Sequence, residues 1–221
     1  MYNFGVALQV LTEGQKPPVG LPKFTRHLIW DMNVEFTPKL IWVLDGHKKH
    51  NPIVSTYSGL VSRESVRIAF TYSALTRIEV CAADNSNAYI QVPSSQKDYI
   101  VCSTEFGIEN VVKHALFWRA LYGGKSARKD FQNRLRSCIR RLDFASCPDN
   151  PDVWKRPAKH SNGTYHYEFI LLYTDNALVI SENSNNVLCK NLGRYFELKV
   201  KSIGPPKYIS WRIYKTSRTR K

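Results

Sequence analysis

Short runs of alternating apolar and polar residues make up most of this chain, interrupted where the apolar spacing lengthens to a helical period. A Pro/Gly-rich connector over 12–23 precedes predicted strands at 27–36 and 40–44, and Asp45-Gly46 supplies a turn signal after them. From Ser62 to about Thr76 the spacing predicts a helix, with Val66, Ala69, Phe70, Ser73 and Ala74 on one stripe. Residues 78–83 then read as a buried strand that delivers Asp84 at its end. A short strand at 99–102 and an apolar stretch at 111–118 follow. Ser126 stands where it can cap a helix over roughly 126–142, whose inner stripe is Phe131, Leu135, Cys138, Ile139 and Leu142. Strand candidates at 153–155 and 164–172 are joined by the polar segment 157–163, with Asn162-Gly163 at its turn. Two apolar runs, 169–172 and 177–180, flank Tyr173-Thr174-Asp175-Asn176, the pattern of a tight hairpin with a carboxylate at its tip. Residues 187–196 predict a last helix, and Gly204-Pro205-Pro206 breaks the chain after it.

Composition narrows the class. At 221 residues, 43% of them hydrophobic and 12% aromatic, the chain is expected to fold as one domain or a compact pair of subdomains, which excludes a disordered polymer. The formal charge of +14 is unevenly placed: residues 1–110 hold 10 basic and 10 acidic residues, residues 111–221 hold 22 and 8. That asymmetry suits a polyanion, nucleic acid before an acidic membrane surface, and it equally describes a solvated basic face. Arg128, Lys129, Arg134, Arg136, Arg140 and Arg141 fill the outer faces of the second helix, against the single acid Asp130. Such a helix can lie on a phosphate backbone or simply face water. Five scattered cysteines without a CxxC pair point to structural thiols in a reducing, intracellular compartment. His47 and His50 have no cysteine pair nearby, so a zinc site is not expected there. The first eleven residues lack a signal-peptide pattern, and no apolar run approaches membrane-spanning length.

Candidate chemistry lies in two carboxylates. Asp84 ends one apolar run and Asp175 tips the hairpin, and two strand-end aspartates can converge on a divalent cation. The order of helix, strand ending in Asp84, basic helix, strands and hairpin predicts an α+β fold. Its expected form is an antiparallel sheet covered by helices on one face, a split βαβ or ferredoxin-like arrangement.

Three blocks in this order, Ala82-Ala83-Asp84-Asn85-Ser86-Asn87-Ala88-Tyr89-Ile90, Leu121-Tyr122-Gly123-Gly124-Lys125-Ser126 and Leu171-Leu172-Tyr173-Thr174-Asp175-Asn176, resemble those of reverse transcriptases of the Ty1/copia retrotransposon type. Two flanking blocks are similar too: Phe36-Thr37-Pro38-Lys39 through Gly46-His47-Lys48, and Ser202-Ile203-Gly204-Pro205-Pro206-Lys207-Tyr208-Ile209. The resemblance covers about residues 26–214, leaving 1–25 as an N-terminal connector and 215–221 as a basic tail. It implies a polymerase palm with partial fingers that copies RNA into DNA on a template–primer, using deoxynucleoside triphosphates and magnesium or manganese. By the same resemblance Asp84 and Asp175 are the catalytic metal ligands, with Asn176 where the family carries a further aspartate. Tyr173 would lie near the primer terminus. Lys39, Tyr89 and Lys125 would line the nucleotide site, and Arg128, Arg134, Arg136, Arg140 and Arg141 would meet template and primer.

The departures from the family pattern are chemical. Asn176 offers an amide oxygen without charge, and Ile41 stands where the family's fingers arginine meets the triphosphate. Gly124 replaces the usual leucine of the LYGLK block. These changes imply an impaired or inactive polymerase. A non-catalytic nucleic-acid binder is the main alternative, a translated remnant without function the next. A nucleotidyl cyclase would share the two-carboxylate logic but not the LYGGK block or the YTDN turn.

Overall fold

The computed structural model describes Leu8–Val10, Phe24–Trp30, Pro38–Leu44, Gly46, and residues 55–206 apart from Ser103. The connector 12–23, the pair His47 and His50, the block from Lys207 onward and the basic tail lie outside the described residues. The protein is mixed α/β with antiparallel sheets and three helices among the described residues. None of those helices is long and apolar enough to cross a membrane. The chain divides into two compact units, 1–58 with 87–134 and 59–86 with 135–221.

In the first unit, β1 (Leu8–Val10), β6 (His114–Arg119) and β5 (Pro93–Val101) form a three-stranded sheet in the order β1-β6-β5. Separately, β2 (Phe24–Trp30) pairs antiparallel with β3 (Pro38–Leu44), with Lys39 opposite Ile29. The core gathers Leu44, Ile100, Cys102, Ala115, Phe117 and Leu121. The end of β3 is held by the Leu121–Lys125 loop, where Leu44 N–H donates to the Tyr122 carbonyl at 2.8 Å. Gly123 is required there. Its φ is +79°, and a Cβ would lie 2.1 Å from the Leu44 carbonyl oxygen.

The second unit is built on a five-stranded antiparallel sheet in the order β4-β10-β9-β8-β7. Its strands are β4 (Val80–Asp84), β7 (Ala145–Ser146), β8 (Val153–Lys159), β9 (Tyr165–Tyr173) and β10 (Asn176–Ile180). Helix α1 (Arg63–Thr76) starts on the predicted residue: Ser62 caps it by accepting from Ser65 N–H at 3.1 Å. It stops where Arg77 turns left-handed at φ 57°. Val66 and Ala69 pack on Leu171, Leu178 and Ile180, with Phe70 and Phe169 at the margin, whereas Ala74 is exposed rather than on the inner stripe. Helix α2 (Ala127–Arg140) buries Phe131, Leu135, Cys138 and Ile139 as its spacing predicts. The division between the units falls within this helix: residues 127–134 belong to the first unit and 135–140 to the second.

Apolar residues line both faces of this sheet. Alternation along β8 puts Trp154 on the side opposite Val153, which packs beneath α1. The Arg140 guanidinium lies 5.2 Å from the Trp154 ring centroid, so α2 reaches the other face. That second face carries Ile170, Leu172 and Val179, all buried. The predicted last helix is a composite: α3 (Ser184–Asn186), a π turn at Val187–Asn191 and a 3₁₀ turn at Leu192–Arg194.

The Arg136–Asp152 ion pair is one brace of this unit. Arg136 Nη2 donates to Asp152 Oδ1 at 2.8 Å, and the Asp152 side chain is 2% exposed. Removing the carboxylate strands a mostly buried guanidinium, so Asp152→Ala should lower unfolding free energy by about 3 kcal/mol. Urea melts showing a loss below about 1 kcal/mol would contradict that assignment.

Burial pushes the Cys81 and Cys102 thiols up from their ordinary value of 9.0; at Cys81 the Gly204 backbone hydrogen bond opposes the shift. A raised folded-state value adds stability that is intact below pH 9.0 and is lost as pH rises through the folded value. Under native conditions both thiols should alkylate far more slowly than exposed Cys189, as mass spectrometry of the labelled chain would read.

Candidate functional site

Strand β4 forms because Cys81 and Ala83 are buried on one face while Val80 and Ala82 meet the α1 cluster on the other. Its inner edge pairs with β10 from Val80↔Ile180 to Asp84↔Asn176. Its outer edge is closed by the segment that follows the composite helix. Ala82 N–H donates to the Gly204 carbonyl at 2.8 Å and Gly204 N–H returns to Ala82 at 3.1 Å. Asp84 N–H donates to Ser202 Oγ at 2.9 Å, and Lys199 N–H to the Asp84 carbonyl at 2.9 Å. With both edges satisfied, β4 is fixed up to its last residue.

The β9–β10 hairpin has a two-residue turn, since Tyr173 pairs with Asn176. Thr174 opens it at φ 55°, the left-handed hand that tight hairpins demand but a β-branched residue resists. Asn85, buried beside the tip, donates to the Asp175 carbonyl twice, from its backbone N–H at 3.1 Å and from Nδ2 at 2.6 Å. The turn that bears Asp175 is thereby tied to the residue after Asp84.

This brings Asp84, Asp175, Asn176 and Tyr173 together at one end of three neighbouring strands. The register sets Asp84, Asn176 and Tyr173 in one row on the sheet. Tyr173 packs at the margin of the α1 cluster, and Asn176 Nδ2 lies 3.4 Å from Asp175 Oδ1. Within the Asp84 carboxylate the two oxygens differ. Oδ2 pairs with the Lys199 ammonium, while Oδ1 is buried with no hydrogen-bond partner. Carboxylate and amide oxygens are the donor types that a hard, oxygen-seeking cation takes, and the pairing of Asp84 with Asn176 next to the Asp175 turn brings residues of those types to one strand end. Lys199 competes for the same charge. Its side chain is 43% exposed, so it can leave into water when a cation arrives.

The other expected site residues are divided between the two units. Lys39 (in β3), Tyr89, Lys125, Arg128 and Arg134 belong to the first unit. Tyr89 sits in the 3₁₀ turn Ala88–Gln91, its ring 4.5 Å from that of Tyr122 and 6.1 Å from Phe131, a packing position. Among the arginines of α2, Arg136 is committed to Asp152, Arg140 is exposed with its guanidinium over Trp154, and Arg134 is exposed, as is Arg141 just after the helix. Sequence reasoning gave no role to Lys199, Ser202 or Asn85. Asn85 could have been suspected as the polar residue directly after a strand-end aspartate. Lys199 carries no local signal, since its partner is far away in the chain.

Thr174→Asn should stabilise the unit by up to about 1 kcal/mol, because asparagine tolerates positive φ where threonine does not. A lower melting temperature for this variant would show that Thr174 makes contacts worth more than the strain. Compared with known proteins, the chain matches no family model and none of the curated sequences, so the reading of this site rests on its own residues and their placement.

Proposed function

We propose that this chain is the fingers and palm region of a Ty1/copia-like RNA-directed DNA polymerase, with a ferredoxin-like palm and an impaired metal site. The observation that carries the reading is the antiparallel register that pairs Asp84 with Asn176 beside Asp175. A strand-end aspartate and the residue after the hairpin aspartate, from distant blocks, are thus partners on adjacent strands, which supports the convergence that two-metal nucleotidyl transfer requires. The strand order β4-β10-β9, with the aspartate strand next to the hairpin, suits a palm as well.

In that reading, magnesium or manganese would supply charge neutralisation at the phosphate and activate the primer 3′-hydroxyl. Asp84 and Asp175 would hold it through carboxylate oxygens, and Asn176 would add only a neutral oxygen. Tyr173 would border the primer end, while Lys39, Tyr89 and Lys125 would serve the incoming deoxynucleoside triphosphate. Lys199 offsets one of the two carboxylate charges, which lowers cation affinity further. Loss of one anion from a shared site costs about 3 kcal/mol, roughly a hundredfold in rate. A second reading, a non-catalytic binder of template–primer, is favoured by exposed Arg134 and Arg141 and by the basic C-terminal half. Arg136 contributes little to it, being held by Asp152.

The test is metal-dependent primer extension on an RNA template by the full chain, by Asn176→Asp, and by Asn176→Asp combined with Ile41→Arg. The expected result is slow or absent incorporation by the natural chain and a gain of roughly a hundredfold in the revertants. Folded revertants that incorporate nothing with either cation would remove the polymerase reading. Salt-dependent binding of template–primer in the same samples would then leave the binder.

A further inference from the structure

At the opposite end of β9 from the Asp175 turn, the β8–β9 hairpin carries two histidines. Arg156↔Glu168 and Ala158↔His166 are paired residues, and His160 N–H donates to the Thr164 carbonyl at 2.8 Å across the Asn162-Gly163 turn. Alternation therefore gives His160 and His166 the same face. Their rings stack with centroids 3.8 Å apart and an interplanar angle of 27°. Glu182, just beyond β10, pairs with His160 Nδ1. Ligand atoms of all three residues lie within 4.8 Å of one another.

The arrangement is costly as it stands. His166 is 9% exposed, and neither of its ring nitrogens has a hydrogen-bond partner. A neutral imidazole needs one acceptor and one donor, and each unmet buried group costs about 1–3 kcal/mol. Nothing in packing alone explains two stacked imidazoles with a carboxylate closing on them. Beside the cluster an open groove of about 620 Å³, lined by Arg77, Glu79, Asn162 and Asn183 among others, gives access to His160 and Glu182.

We propose that His160, His166 and Glu182 form a binding site for a zinc-type divalent transition cation. Two imidazole nitrogens and one carboxylate oxygen are a borderline-soft donor set that favours zinc or cobalt over magnesium. The cation takes the place of the hydrogen bond between His160 and Glu182 and recruits one of the two unpartnered nitrogens of His166. The fourth position opens on the groove, where water or a small anion completes a tetrahedron. The site is independent of the polymerase reading and shares none of its residues.

Titration of the full chain with Zn²⁺, and with Co²⁺ as a spectroscopic probe, tests this. One cation per chain should bind and raise the melting temperature. The cobalt spectrum should show tetrahedral d–d bands without a thiolate charge-transfer band, which separates this site from the five cysteines. His160→Ala and His166→Ala should each weaken binding by at least roughly a hundredfold, beyond the usual effect of losing a supporting residue, and exposed Glu182→Gln by about tenfold. Asp84→Asn should leave binding unchanged. No binding by the natural chain, octahedral or thiolate-type cobalt spectra, or unchanged affinity in Glu182→Gln and the histidine variants would each overturn the proposal.

Discussion

The geometry of the second unit depends on the register of β10. Asn176 faces Tyr173 on one side and Asp84 on the other, while Leu178 and Ile180 from the same strand face Leu171 and Phe169. Side chains alternate with a period of two, so a slip of one residue would turn Leu178 and Ile180 away from α1. Burial of these residues is worth roughly 1.5–3 kcal/mol each, far more than any polar contact at the strand ends. The hydrophobic faces therefore choose the register, and the carboxylate site is a consequence of it. Polar chemistry at Asp84 and Asp175 is held in place by apolar residues that take no part in it.

Closure of the β4 edge adds a second constraint, of opposite sign. The segment 197–204 satisfies the backbone of β4 and in doing so brings Lys199 onto Asp84. A partly exposed ammonium–carboxylate pair contributes about 0–1 kcal/mol to stability. That is weak enough for a divalent cation to displace it, yet it lowers the local negative charge that a cation needs. The same chain segment thus completes the sheet and, in the proposed metal-binding reading, would lower the cation affinity of the site at its end, an effect that would compound the neutral amide at Asn176.

Much of this was legible in the sequence where a local pattern determines the outcome. The Ser62 cap, the α2 stripe and the turns at Asn162-Gly163 and Thr174-Asp175 all follow from near neighbours. Of β5 only the end was legible, where the strand expected at 99–102 overlaps it; Pro93–Asp98 has no apolar alternation and is a strand through its pairing with β6, with a register shift between Pro93 and Asp98. Arg136 read as one more cation of a basic helix, since its partner Asp152 is sixteen positions away in a loop of ordinary composition. The histidine pair could have been found. Placing a hairpin turn at Asn162-Gly163 already gives 160 and 166 a common face, but Glu182 joins them only through the long-range β9–β10 pairing.

Both polar clusters lie at ends of the same two strands for one reason. Through their middles β9 and β10 are buried on both faces, with Leu171, Leu172, Leu178 and Val179 nearly inaccessible, so charge without an ionic partner is confined to the termini. The one buried charge between them, Glu168, is fully engaged: Arg156 donates to it from Nε at 3.0 Å and Nη2 at 2.5 Å, and Ser181 Oγ donates to its other oxygen. Arg156 also donates to the Leu142 carbonyl at 2.8 Å, joining the residues after α2 to the sheet. The contrast is informative. Glu168 shows how this fold satisfies a carboxylate whose role is structural, by filling both of its oxygens. Asp84 Oδ1 and the His166 nitrogens lack such partners, and it is this contrast that supports the two proposed ligand sites.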